Sequence, residues 1–166
     1  MPAWEHLPED LYRKFWDAFD RKFDFRAGYA EPDAAIIEPS PSVTFDLHPL
    51  FADPGATFAA GQAAINAITL FSMTQAFSAE ERLLVLDWQH SCHWFWPHRH
   101  AVADDETWPV EVFPDGDYHT FLTEDMTEGT FGHPWEQTLC VFGPRLMPKL
   151  GPILMSWLPI KRSRPR

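Results

Sequence analysis

Four closely spaced histidines, His90, His93, His98 and His100, are the side chains whose types and spacing best suit metal chemistry. Neutral imidazole is the commonest side-chain ligand for zinc, copper and iron. On an extended strand His98 and His100 would project to one side. Cys92, His119, His133 and Glu136 could complete a shell. The spacing matches no established metal motif, however. Trp94 and Trp96 interleave with the histidines. The competing reading is therefore packing, with the imidazoles bonded to backbone or lining a surface groove.

Two further sets could carry acid–base or nucleophilic work. Asp115, Asp117, Glu124, Asp125 and Glu128 could pair carboxylates for proton transfer or for a hard cation. Turn chemistry explains the first two, because Pro114-Asp115-Gly116-Asp117 combines a fixed φ, a glycine and side chains that bond nearby N–H groups. The Asp-Gly-Asp triplet also lacks the remaining ligands of a calcium loop. Cys140 or Cys92 could act as a nucleophile with His133 or His119. Cys140 sits in an apolar run, though, where a thiol is inert. There is no Gly-rich phosphate loop, nucleophile elbow or dinucleotide fingerprint. His133-Pro134-Trp135-Glu136 is a rigid corner that could present an aromatic-plus-acid recognition point. The candidate binding residues are accordingly Trp135, Glu136, His133, Asp115, Asp117, His119 and Trp96.

These residues need elements to position them. Leu11, Phe15, Phe19 and Phe23 recur at helical spacing behind Pro8-Glu9-Asp10, predicting an amphipathic helix over 9–23. The segment 25–41 is irregular, with a short strand at Ile36-Ile37. Alternation predicts a strand over 43–47, followed by a loop over 48–55. Pro54–Ala79 carries no charge, and its spacing predicts a packed helix over 57–77 rather than a membrane span. Ser78-Ala79-Glu80-Glu81 reads as a capping box. Leu83–Trp88 is a strand, with 90–97 as its hairpin partner and 98–103 continuing it. Further strands are expected over 108–113, 118–123 and 138–142, with a loop over 124–132. Pro148 and Pro152 predict a broken helix after Gly143. Strands in succession, with helices before and after, give an α+β fold: an antiparallel sheet of about five or six strands, mostly over 83–143, packed against helices from the N-terminal half and the C-terminus.

A chain of 166 residues fits one domain, taken as 1–160. Residues 161–166 hold four of the 13 basic residues and read as a disordered tail. The body is left with 9 basic against 24 acidic residues. Such a charge repels phosphate backbones, which argues against nucleic acid and for a basic protein partner. Fourteen Phe and eight Trp exceed the needs of a small core and could form a binding face. Two cysteines make no disulfide framework, so a reducing cytoplasm is expected. The first residues have no basic region followed by an apolar core, so no signal peptide is expected.

Leu86-Asp87-Trp88-Gln89-His90, Pro97-His98, Asp115-Gly116-Asp117-Tyr118, Phe131-Gly132-His133-Pro134-Trp135-Glu136 and Leu139-Cys140-Val141-Phe142-Gly143 resemble a bacterial family of small proteins of unknown function. The resemblance extends to Pro41-Ser42-Val43-Thr44-Phe45, and it implies no activity or catalytic residue. A helix followed by a sheet with an Asp-Gly-Asp turn is also similar to the SUKH immunity superfamily, whose members bind and neutralise toxins. Three readings follow. The first is a non-catalytic, cytoplasmic protein-binding module of immunity type, with an acidic, aromatic-rich face and no cofactor. The second is a metal-dependent enzyme using His90, His93, His98 and His100. The third is a small-molecule binder with an aromatic-lined pocket.

Overall fold

The structure, a computed structural model, describes residues 1–28, 34–52, 55–105 and 107–166. Pro54, expected in a loop, and Pro32, expected in an irregular segment, lie outside the described residues. The elements in chain order are β1 (Trp4–His6), α1 (Glu9–Phe23), β2 (Ser42–Asp46), α2 (His48–Phe51), α3 (Ala56–Ala76), β3 (Leu83–Asp87), β4 (His93–Phe95), α4 (Pro97–Ala101), β5 (His119–Leu122), β6 (Gly129–His133), β7 (Thr138–Phe142), α5 (Met147–Met155) and β8 (Ile160–Arg164). The strands form one antiparallel sheet in the order β1-β4-β3-β5-β6-β7-β2-β8.

Period-2 alternation explains why both faces of this sheet are covered. Leu83 and Val85 of β3, Phe121 of β5 and Leu139 and Val141 of β7 join one apolar cluster with Ile65 and Met73 of α3 and Leu150 and Leu154 of α5. Leu84 and Leu86, Phe131, Cys140 and Phe142 face the other way and pack with Phe15, Phe19 and Phe23 of α1. The central strands therefore read as continuous apolar runs. The molecule has three layers, with α1 alone on one face and α2, α3 and α5 on the other.

Helix α1 has the expected bounds, with acids in its first turn and Arg21 and Lys22 in its last. Several other elements differ from expectation. The sheet has eight strands rather than five or six. The extra ones are short or polar: β1 has three residues, and β6 carries two glycines in what was expected as a loop. Residues 98–103 do not extend β4, because Pro97 opens the helix α4 instead. No strand forms over 108–113. Carrying Pro109 and followed by Pro114, this segment crosses the sheet face covered by α3 and α5, burying Val110, Val112 and Phe113, and Asn66 accepts the Phe113 N–H (3.0 Å). The predicted strand at Ile36-Ile37 is irregular, and α2 occupies part of the expected loop. Pro152 falls inside α5 without breaking it.

The chain end is a further correction. Ile160–Arg164 is an edge strand paired with β2, not a disordered tail. Charge pairing holds it there. Arg162 donates to Glu38 (2.8 Å) and makes a two-point contact with Glu136 (2.7 and 3.0 Å). Burial alone would raise the pKa of Glu38, but the Arg162 hydrogen bonds, the Thr44 hydroxyl and nearby guanidinium charge outweigh it and hold it below the usual range.

Candidate functional site

The register of the sheet gathers polar side chains at one end of the face covered by α2, α3 and α5. In β3, Leu83 and Val85 enter the core on this face, so Asp87, two residues on, lies on it at the strand's end. Asp87 pairs in register with His119 of β5. On the other side, Val85 pairs with His93 of β4, which pairs with His6 of β1. Next to His119 stands Gly132 of β6. A Cβ there would meet the Pro114 side chain at 2.9 Å and the Val112 carbonyl at 3.2 Å. Its absence lets the 108–114 segment lie close over the strand.

Two turns complete the arrangement. Asp87-Trp88-Gln89-His90 closes on a bond from the His90 N–H to the Asp87 carbonyl (3.2 Å), with Gln89 at φ 65°. This folds His90 back, placing its Nδ1 3.2 Å from Asp87 Oδ1. The Asp115-Gly116-Asp117 turn, with Gly116 at φ 86°, delivers Asp117 Oδ2 to the same nitrogen at 3.2 Å. The ligand atoms of Asp87, His90 and Asp117 all lie within 4.8 Å of one another. The other Asp117 oxygen is fixed by the Tyr118 N–H (2.8 Å).

His119 gives the arrangement its polarity. Its Nδ1 lies 3.1 Å from the Phe113 carbonyl, which can only accept, so Nδ1 carries the proton. In the neutral ring Nε2 is then a lone pair, and it faces Asp87 Oδ1 at 3.7 Å. A lone pair aimed at a carboxylate is repulsive unless a cation, a proton or a metal, lies between them. Among the described residues no lysine or arginine makes an ion pair with Asp87 or Asp117. Burial raises the pKa of Asp87, Asp117 adds to the rise, and His119 and His90 oppose it.

The centre opens on a cleft of about 780 Å³ lined by His6, Glu9, Tyr12, Gln89, His93 and Val110 among others. His90 stands at its mouth with 60 % of its side chain exposed, whereas Asp87 and His119 are 14 % and 9 % exposed.

The four expected histidines do not converge. His90 joins the two aspartates, and His93 packs against His6 in a tilted ring contact with centroids 4.6 Å apart. His98 Nε2 donates to the Phe77 carbonyl (2.9 Å), and His100 Nδ1 accepts from Trp4 (3.2 Å). His98 and His100 lie on α4 rather than on a strand, and both are bonded locally. Of the expected binding residues, Asp117 and His119 belong to the centre. Asp115 lies apart and accepts from Gln62 (3.1 Å). Glu136 is held by Arg162, and His133 is buried and accepts the Glu136 N–H (3.1 Å). Trp135 packs edge-on against Tyr118, and Trp96 is buried with Arg99 over its ring. Burial pushes the Cys92 thiol up to about 11 and the Cys140 thiol up to about 12, so neither supplies a thiolate near neutral pH. Asp87 and His6 were missed as site residues. The alternation through Leu83 and Val85 was the signal for Asp87, since it carries a carboxylate onto an otherwise apolar strand face.

Comparison with known proteins identifies the family. Residues 6–147 match the family described as "Protein of unknown function (DUF2716)", and the chain belongs to it. The chain is 30 % identical over 156 residues to the uncharacterized protein YxiI of Bacillus subtilis (strain 168), covering 89 % of this chain and 91 % of that protein. No solved structure matches. Among the described residues no helix is long and apolar enough to cross a membrane.

Proposed function

We propose that this protein is a metal-dependent enzyme whose divalent transition-metal ion is held by Asp87, His90, Asp117 and His119, beside a cleft that receives a small polar substrate. The observation that carries this reading is His119 Nε2 facing the Asp87 carboxylate at 3.7 Å, with the opposite ring nitrogen pinned to a backbone carbonyl, beside the cluster of Asp87, His90 and Asp117. An imidazole fixed through its second nitrogen is the usual outer support of a metal ligand. Two imidazoles and two carboxylates suit zinc, iron or manganese. The exposed side of His90 leaves coordination positions open toward the cleft, as a catalytic rather than a structural ion requires. The Asp87 carboxylate, costly to bury as an anion beside Asp117, is stabilised by the ion.

The partner-binding reading keeps the acidic charge as its support, net -11. Of its candidate contact residues, Trp96 is buried and Glu136 is paired with Arg162, while Trp135 is half-buried.

The test is metal content of untagged protein purified without chelator. About one or more equivalents of a transition metal is expected in the wild type. Asp117→Asn and His119→Gln should each lose at least one equivalent while keeping the wild-type circular dichroism. Metal far below one equivalent, even after zinc addition, would overturn the proposal. So would an undiminished content in both variants.

A further inference from the structure

His6 and His93 face each other across the β1–β4 pair, in register, on the same side of the sheet as Asp87. Backbone bonds run from the Leu7 N–H to the Cys92 carbonyl (2.8 Å) and from the Trp96 N–H to the Ala3 carbonyl (2.9 Å). Hydrogen-bonded pairs thus fall on the odd residues of β1, and His6 and His93 form a non-hydrogen-bonded pair. Side chains at such a pair approach most closely. The ring centroids are 4.6 Å apart, and Trp4 closes the inner side, edge-on to His93 at 5.8 Å. Both histidines line the cleft.

His93 is unusual in its bonding. The residue is only 7 % exposed, and its Nδ1 is buried without a hydrogen-bond partner. A buried polar atom left unpaired is destabilising, and it calls for an occupant. Burial, and after it the charge of His6, holds the His93 pKa below the ordinary histidine value.

We infer that His6 and His93 form a second metal site in the same cleft, taking an imidazole-seeking divalent ion such as zinc or copper(II) between two cross-strand imidazoles. Two protein ligands leave most of the coordination shell to water and to substrate atoms. The shell therefore faces the cleft, on which the Asp87 centre also opens. The inference does not depend on the Asp87 centre being occupied, because the two sites share no ligand.

The experiment is zinc titration of the metal-free, untagged full chain by calorimetry, with copper(II) and its electron paramagnetic resonance as an independent readout of imidazole nitrogen. His6 is exposed on a three-residue edge strand, so His6→Ala keeps the fold. Two zinc equivalents are expected for the wild type, one for His6→Ala, one for Asp117→Asn and none for the double variant. If the Asp87 centre is not a metal site, the wild type binds one equivalent. That equivalent persists in Asp117→Asn and vanishes in His6→Ala, which supports this inference alone. Two equivalents in His6→Ala would overturn it, as would a single wild-type equivalent that His6→Ala keeps. Copper(II) bound to Asp117→Asn with no signal from two imidazole nitrogens would also overturn it.

Discussion

At the scale of single residues Asp87 is the centre of the site. Its carboxyl pKa is raised by burial, with Asp117 adding to the rise. A raised folded-state pKa means that this group's contribution to stability is full below the unfolded carboxyl value and is lost as pH rises through the folded one. The metal-free protein should therefore be less stable at pH 7 than the same protein with a neutral isostere. Asp87→Asn is expected to raise the thermal midpoint of the metal-free form at pH 7 and to abolish metal binding. The gain should shrink below pH 4. Calorimetric scans of both proteins with chelator, at pH 4 and pH 7, check both halves. The histidines drew attention by type, but imidazoles pair with whatever the register puts opposite them. His98 and His100 went to a helix opened by Pro97, and His6, far away in sequence, came to His93 through strand pairing.

At the scale of elements, β8 is the part least expected from the sequence, because Lys161-Arg162-Ser163-Arg164 has no apolar alternation. Its place is set by ion pairing rather than by burial of apolar area. The buried Glu38 and Glu136 carboxylates make Arg162 their shared counter-charge. Arg162→Ala leaves two buried acids without it and is expected to cost about 3–5 kcal/mol, measured by urea unfolding at pH 7. Glu38 has a lowered folded-state pKa, so its stabilisation is present above the unfolded carboxyl value and lost as pH falls through the folded one. The difference between wild type and Arg162→Ala should accordingly narrow toward pH 3. A second element prediction concerns the 108–114 segment, which holds the carbonyl that fixes His119. Gly132→Ala would push a methyl against Pro114 and the Val112 carbonyl. Its expected cost is about 1–3 kcal/mol, with metal affinity falling in parallel. A stability loss with unchanged affinity would separate the segment from the site. The sequence displayed α1, β3 and β7 clearly because their periodicity is set by burial alone. It hid β1, β6 and β8 because these are short, glycine-bearing or charged, and their pairing depends on distant partners.

At the scale of the whole molecule, the three layers place the candidate centre at one end of a sheet covered on both faces. The ends of four neighbouring strands, β1, β4, β3 and β5, supply His6, His93, Asp87 and His119 from such a scaffold. An ion that binds only the folded chain stabilises all of it. Zinc at 100 times its dissociation constant adds about 2.7 kcal/mol. For a chain of this size that amounts to a rise of roughly 5–10 °C in the thermal midpoint. The rise should be absent in Asp117→Asn with His6→Ala.

The most direct measurement is an anomalous-difference map at the zinc edge from crystals of untagged protein grown with zinc. A peak is expected among Asp87, His90, Asp117 and His119, with His119 Nε2 at about 2.0–2.1 Å from it. An empty centre in crystals that carry zinc elsewhere, with Nε2 of His119 still facing Asp87, would contradict the proposed metal site.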